Sequence, residues 1–418
     1  MYQGIALAMP STVALHRAFR RGGGTLQPIG EIMQRRLALL FLALIAVLTP
    51  FAQAQRSHAN DSYLVYVGTY TGPQSKGIYA FRFDPASGKS ISLGLVAETT
   101  NPSFLAIDPS QRYLYAANEV GDYKGEQSGG VSAFAIDRKN GKLTFLNEVS
   151  SRGAGPCHVA LDKTGKYVLV ANYDSGTVAV FPMLPDGRLG EASAVVQHGG
   201  HGPNAERQEG PHAHEIQLSS DNRFAIAADL GLDKLLVYRF DAAKGALTAS
   251  DPPFAKVDPG AGPRHFAFHP NGRFAYALNE MGGSITSFAY DPRPGSLRKL
   301  QSISALAADF KGQNESAEIV ADASGKFLYA SNRGPDNIAV FAIDSAKGTL
   351  RLVEHVSTKG KTPRNFAIDP TGRYLLVANQ ESNGIVVFRI DPKTGRLTDT
   401  GQSLETPSPV CLVFVAAE

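Results

Sequence analysis

Apolar and polar positions alternate with a short period along most of this chain. The stretch GPRHFAFHPNGRFAYALNE, residues 262–280, sets the pattern. It holds a short apolar run, a tight turn at Asn271-Gly272, and a second apolar run ending in Asn279-Glu280. Alternating β-branched and aromatic residues bounded by Gly, Pro and Asp predict paired strands rather than helix. Variants recur at intervals of about fifty residues, a period that marks a repeat array. NPSFLAIDPSQRYLYAANE starts at Asn101, GPCHVALDKTGKYVLVANY at Gly155 and HAHEIQLSSDNRFAIAADL at His212. ESAEIVADASGKFLYASNR starts at Glu315 and TPRNFAIDPTGRYLLVANQ at Thr362.

Each unit runs on past this pair of strands, here a and b. After Glu280 come a third strand, Ser284–Tyr290, a turn, and a fourth, Leu297–Ile303. The turn between strands c and d supplies seven glycines: Gly88, Gly141, Gly187, Gly245, Gly295, Gly348 and Gly395. The a–b pair occurs in full only six times, and the chain's two ends account for the difference. Tyr63–Thr69 reads as a b strand without its a strand, and Pro409–Val415 as an a strand without its b strand. Together they complete one unit. The expected fold is all-β, a seven-bladed β-propeller whose C-terminal strand completes the first blade and closes the ring. Radial closure leaves only short, protected strand edges. The chain has no Trp, so the Trp-Asp signature of WD40 repeats is absent.

Before the repeats the text differs. Arg35-Arg36, the apolar run Leu37–Leu48 and Ala52-Gln53-Ala54 have the order of a secretory signal, spanning about residues 33–54. The run is too short for a comfortable membrane span. The expected division is therefore 1–54, an N-terminal extension with a signal peptide, and 55–418, the propeller, in a periplasmic or secreted protein. Charge agrees. The net +3 includes +4 from residues 1–54, five Arg against one Glu, so the remainder carries −1. That excludes a nucleic-acid-binding reading and a membrane-surface one after signal cleavage. Cys157 and Cys411 fall in different repeats and are expected as two buried thiols, not a disulfide.

One connection is longer than the others. Gln197–Pro211 carries His198, His201, Glu206, Arg207 and Glu209, and long insertions in such arrays fall on loops, often at the binding face. A second irregularity is polar. The second residue of successive a strands reads Ser103, Cys157, His214, Arg264, Ala317, Arg364, Val410. The third reads Phe104, His158, Glu215, His265, Glu318, Asn365, Cys411. The residue after each b strand's closing Asn or its equivalent reads Tyr70, Glu119, Tyr173, Leu230, Glu280, Arg333, Gln380. The a strand is innermost in a propeller, so all three sets are expected at one mouth of the central channel. Charges are seldom buried unless paired. Two readings follow: a polar network plugging the channel, or a site, since these residue types transfer protons and bind oxyanions. His212 and His214, with His198 or His201, also admit a metal reading.

The chain resembles the propeller-type lactonases, the 6-phosphogluconolactonase family and the related 3-carboxymuconate lactonizing enzymes. The resemblance covers about residues 61–418. It rests on YVGTYT at Tyr66, GPCHVALD at Gly155, PHAHEI at Pro211, GPRHFAFHP at Gly262, NE at Asn279 and SNRG at Ser331. It implies an active site at the channel mouth, no required cofactor or metal, and a small-molecule lactone substrate; the protein is expected as a monomer. The catalytic set it implies is His214, Arg264, Glu280 and Arg333, with His212 competing for the histidine role. His158, His212, His265, Glu318 and Arg364 are the expected substrate-binding residues. The implied reaction is hydrolysis of a sugar lactone such as 6-phosphogluconolactone by water attack on the ring ester. A muconolactone-type cycloisomerase and a non-enzymatic exported binding platform are the alternatives.

The signal predicts cleavage after Ala54. Mass spectrometry of exported protein should find Gln55 at the N-terminus; a retained Met1 or Met33 would exclude it.

Overall fold

The structure, a computed structural model, describes residues 62–418. The proposed extension and signal, residues 1–54, lie outside the described residues. Residues 62–418 form seven four-stranded antiparallel sheets, each one blade. Six blades use consecutive strands. Blade 1 is composite, ordered Pro409–Ala416, Tyr63–Thr69, Gly77–Phe83, Ser90–Glu98. Its a strand pairs with its b strand from Tyr63↔Ala416 through Gly68↔Cys411, which is the ring closure expected from the two incomplete ends. A 3₁₀ turn at Leu230–Leu232 is the helical element among the described residues.

Alternation explains why the blades stack. Successive side chains of a strand face opposite sides, so an inner strand flanked by two blades buries both faces. Tyr374–Asn379 is buried at every residue, as is Phe274–Asn279. Apolar clusters accordingly lie between neighbouring blades. Phe224, Ile226 and Val237 of blade 4 pack with Phe266, Ala275 and Phe288 of blade 5. The outer d strands, such as Leu397–Glu405, are mostly exposed.

The seven c–d glycines do more than count blades. Gly187 (φ 86°) of blade 3 lies on the ring of Tyr113 in blade 2, where a Cβ would stand 2.2 Å from a ring carbon. Gly395 (φ 72°) repeats this on Phe327 at 2.4 Å, and Gly88 (φ 73°) on Tyr374 at 2.6 Å, across the ring closure. Positive φ and the missing side chain are both needed there. The turn of one blade is thus hooked over the b strand of the blade before it.

Buried Asn side chains close the b strands and stitch the connectors. Asn172 donates to Ser151 O at 3.0 Å, Asn332 to Ala305 O at 3.0 Å and Asn379 to Thr358 O at 3.1 Å. Asn172 and Asn332 thereby fix the backbone just before Tyr173 and Arg333, which emerge at the channel mouth. In blade 4 the equivalent is Asp229, which holds His198 of the long connection at 2.6 Å. Cys157 and Cys411 are buried free thiols.

A chain ending at Ser408 would bare the b strand of blade 1 and take Leu412 away from the cluster it forms with Val65 and Phe83. It is expected to lose cooperative thermal unfolding and to aggregate. Circular dichroism melts and size-exclusion chromatography check this; a soluble, cooperatively melting truncation would refute closure by that strand.

Candidate active site

The a strands share one local irregularity that builds the site. Each pairs with its b strand through a register break near its start. In blade 3 the partners jump from Pro156 to His158, in blade 4 from Ala213 to Glu215 and in blade 5 from Pro263 to His265. Blade 7 jumps from Pro363 to Asn365, and in blade 1 Val410 is passed over. The skipped residues are Cys157, His214, Arg264, Arg364 and Val410, from the second column of the sequence. A bulge places two residues opposite one and re-aims a side chain. Two consecutive positions per blade are therefore presented to the channel, at two levels.

The upper level lines a pocket of about 240 Å³. Its walls are Cys157, His214, Arg264 and Arg364 from a strands, Glu119, Tyr173, Glu280 and Arg333 from the ends of b strands, Glu315, and Arg207 from the long connection. Glu280 is the centre. Its Oε2 accepts from Arg264 Nη1 at 2.9 Å and Arg333 Nη2 at 2.9 Å, while its Oε1 accepts from Arg207 Nη2 at 2.6 Å. Burial pushes this carboxyl up, but Arg264, Arg333 and Arg207 outweigh it and hold it at about 2. It is an anion throughout the neutral range.

Two of the guanidiniums are anchored. Arg264 Nε donates to Ala317 O at 3.0 Å and Arg333 Nε to Glu315 O at 2.9 Å. Burial, then Arg264, brings Arg333 down to about 10, which leaves it protonated at neutral pH. Arg364 lies over the Tyr70 ring at 5.2 Å and donates to its hydroxyl at 2.7 Å; that hydroxyl donates to Glu119 at 2.8 Å.

His214 sits 2.6 Å from Arg264 Nη1 through its Nε2. A guanidinium only donates, so Nε2 accepts and the ring proton is on Nδ1, facing Cys157 Sγ at 3.6 Å. Burial, then Arg264 and His265, keeps His214 well below its ordinary range, so it is neutral at pH 7. Burial pushes the Cys157 thiol up, so it is no thiolate.

The lower level is a closed, buried layer. His265 Nδ1 meets Glu318 Oε1 at 3.0 Å, Asn365 donates to Glu318 Oε2 at 2.5 Å, and Phe104 packs on His158 at 4.3 Å. Burial, then the Glu318 charge, pushes Glu215 well above its ordinary value, and burial keeps His158 and His265 low.

Of the expected site residues, the structure brings His214, Arg264, Glu280, Arg333 and Arg364 together on the pocket. It does not bring His158, His265 and Glu318 there; they form the layer beneath, because the bulge separates the two columns. His212 is also outside the pocket lining. It stacks on Tyr173 at 4.5 Å and meets Glu209 at 3.3 Å, which separates it from His214. After the b strands, Glu119, Tyr173, Glu280 and Arg333 reach the pocket, whereas Leu230 is buried in the 3₁₀ turn and Gln380 does not line it. The metal alternative fails: His198 is committed to Asp229, and no group of three metal-ligating side chains is assembled among the described residues. The sequence pattern gives Arg207 no role beyond its place in the long connection, and Glu315 falls outside the three columns.

The family profile described as lactonase, 7-bladed beta-propeller, matches residues 64–414. The 6-phosphogluconolactonase of Bacillus subtilis is 40% identical over 353 residues, 84% of this chain and 98% of that protein. The 6-phosphogluconolactonase of Formosa agariphila is 36% identical, over 73% of this chain and 86% of that protein. The solved structure of the periplasmic gluconolactonase of Pseudomonas aeruginosa superposes with TM-score 0.81 at 40% identity, covering 85% of this chain and all (100%) of that one.

The depressed Glu280 carboxyl links to stability. A lowered folded-state value contributes stability that is present above the unfolded value, near 4.5, and is lost as pH falls toward 2. The shift from 4.5 to about 2 corresponds to about 3 kcal/mol. Glu280→Gln, which leaves three guanidiniums facing a neutral amide, is expected to be less stable at neutral pH by a similar amount. Denaturant titrations of both proteins at neutral and acid pH measure it, and the gap should shrink as pH falls. A gap that is constant with pH would exclude this account.

Proposed function

The chain belongs to the seven-bladed β-propeller lactonase family, and from that premise we propose that it hydrolyses the ring ester of a sugar lactone, with the Glu280-centred pocket as its active site. The observation that carries the assignment is the anchored guanidinium set around one buried carboxylate, with a neutral imidazole beside it. Attack of water on the lactone carbonyl forms a C–O bond and moves negative charge onto the carbonyl oxygen. Arg264 and Arg333, tied to backbone carbonyls, supply donors that need not turn toward that charge, and Arg364 adds a third guanidinium. The proton released by the attacking water goes to a base drawn from Glu280 and His214. Collapse of the tetrahedral intermediate breaks the ring C–O bond. The departing ring oxygen takes the proton back, giving an open hydroxy acid.

The names of the relatives support gluconolactone and its 6-phosphate as the first substrates to test. Export through the segment around residues 33–54 belongs to the same reading, and the periplasmic relative from Pseudomonas aeruginosa supports it.

The test is a pH-stat assay of the purified protein with glucono-1,5-lactone and its 6-phosphate, corrected for spontaneous hydrolysis. Turnover above background is expected on at least one. Arg264→Ala is expected to lower kcat/KM by about 10²-fold, the typical effect of removing one oxyanion donor. Folded wild-type protein inert to both lactones, or a folded Arg264→Ala variant with full turnover, would overturn the assignment.

A further inference from the structure

Arg207 differs from the other pocket guanidiniums in how it is held. It comes from a connector, between Ala194–Gln197 and Ala213–Leu218, whereas Arg264, Arg333 and Arg364 come from blade strands. The connector's backbone is fixed on both sides of it. His198 is locked to buried Asp229 at 2.6 Å, and Gln208 donates to Leu230 O and to Asp233 Oδ1, both at 2.8 Å. The Arg207 side chain is 37% exposed, against 4% for Arg264 and 10% for Arg333. Its guanidinium bonds run to side chains: Glu280 at 2.6 Å, Glu315 at 3.3 Å and the Tyr173 hydroxyl at 3.4 Å. No backbone carbonyl anchors it, as one anchors Arg264 and Arg333. Its main chain is therefore rigid and its charged end is free to change partner.

The partner it would leave matters. Glu280 Oε2 is engaged by the two anchored guanidiniums, and Oε1 by Arg207. His214 has no lone pair to spare in this arrangement, because Nε2 accepts from Arg264 at 2.6 Å and Nδ1 carries the proton toward Cys157. Among the basic atoms at the pocket centre, Glu280 Oε1 is the one that a single exposed side chain can uncover. We propose that Arg207 is a specificity-determining arm that trades Glu280 Oε1 for an anionic group on the substrate, so that a lactone carrying a negatively charged group bares the oxygen that takes the water's proton. This rests on the lactonase reading above and extends it: a charged substrate would be favoured through turnover as well as through binding.

The electrostatics agree in direction. Burial raises the Glu280 carboxyl, and Arg264, Arg333 and Arg207 lower it. His214, Tyr173, Arg364 and Glu315 also line this pocket. Removing Arg207 from the carboxylate takes away one of its three guanidiniums and moves the carboxyl back toward its ordinary range, which makes it a stronger base.

The experiment compares wild type, Arg207→Gln and Arg207→Lys on three lactones: neutral glucono-1,5-lactone, its 6-phosphate, and a glucarolactone, which carries a carboxylate. In wild type the anionic lactones are expected to exceed the neutral one in kcat as well as kcat/KM. Whichever anion leads identifies the group Arg207 receives. In Arg207→Gln the anionic-to-neutral ratio of kcat/KM is expected to fall by about tenfold or more, the scale of one charge-assisted hydrogen bond. Arg207→Lys, which keeps the charge, should retain part of the ratio. On the neutral lactone the acid limb of the kcat/KM profile should move to higher pH in Arg207→Gln, a change that a merely structural loop residue would not produce. An active wild type with an equal ratio in Arg207→Gln, or with an unmoved acid limb, overturns the role of Arg207 alone. A wild type inert to all three lactones overturns the lactonase reading and this one with it.

Discussion

Seven innermost strands must share one axis, and most of this molecule's chemistry follows from that crowding. A position repeated in every unit becomes a ring of side chains a few ångströms apart. Apolar rings would simply fill the channel. Here the start of each a strand breaks register, and the break splits the ring into an upper set open to the pocket and a lower set sealed beneath it. Charged residues are tolerated because they neutralise one another across blades. Glu280 of blade 5 is held by Arg264 of its own blade, Arg333 of blade 6 and Arg207 from the connector leading into blade 4. Such a buried cluster is poor evidence of stability gained, since desolvation opposes it. It does fix the relative placement of neighbouring blades at the point where a substrate would sit.

The fold was legible because its unit repeats. The c–d glycines counted seven blades, and the structure gives them a second reason to be glycine: each sits against the neighbouring blade where a Cβ would collide. The two incomplete ends predicted the composite blade, since an a strand without a b strand has nowhere else to go. Legibility of the site was uneven for equally physical reasons. Residue types and columns could be read, so His214, Arg264, Glu280, Arg333 and Arg364 emerged together. Which column faces the pocket could not, because a bulge is a property of backbone pairing, and Pro-Arg-His reads alike with or without one. His158, His265 and Glu318 were thus expected one level too high. Arg207 lies in a segment with no period, so its direction waits on tertiary contacts. Glu315 precedes the columns by two positions and left no mark in them.

Family membership and site geometry support each other without being the same statement. The lactonase profile spans the whole ring, whereas the candidate pocket draws on ten residues at one mouth. The pocket's character comes from which of its groups are anchored. Arg264 and Arg333 are tied by Nε to backbone carbonyls, and Asn332, next to Arg333, ties the end of its b strand to Ala305 O of the preceding connector. Fixed donors of this kind can meet developing charge without first turning toward it.

The sealed lower layer has a kinetic meaning. His158, Glu215, His265, Glu318 and Asn365 are all buried under the pocket floor, so the channel is a cul-de-sac rather than a tunnel. Whatever enters leaves by the same door. Opening a lactone creates a carboxylate that the ring did not have, and a product formed in this pocket would carry that new charge out past its arginines. The traffic is therefore asymmetric: arrival can be neutral, but departure is always against an electrostatic pull. Dissolved salt screens exposed charges far more than buried ones, so among these guanidiniums the partly exposed Arg207 is the one whose pull on an outgoing acid it weakens most. Ionic strength would thus act on an acid's departure more than on a neutral arrival, and through Arg207 more than through its buried neighbours.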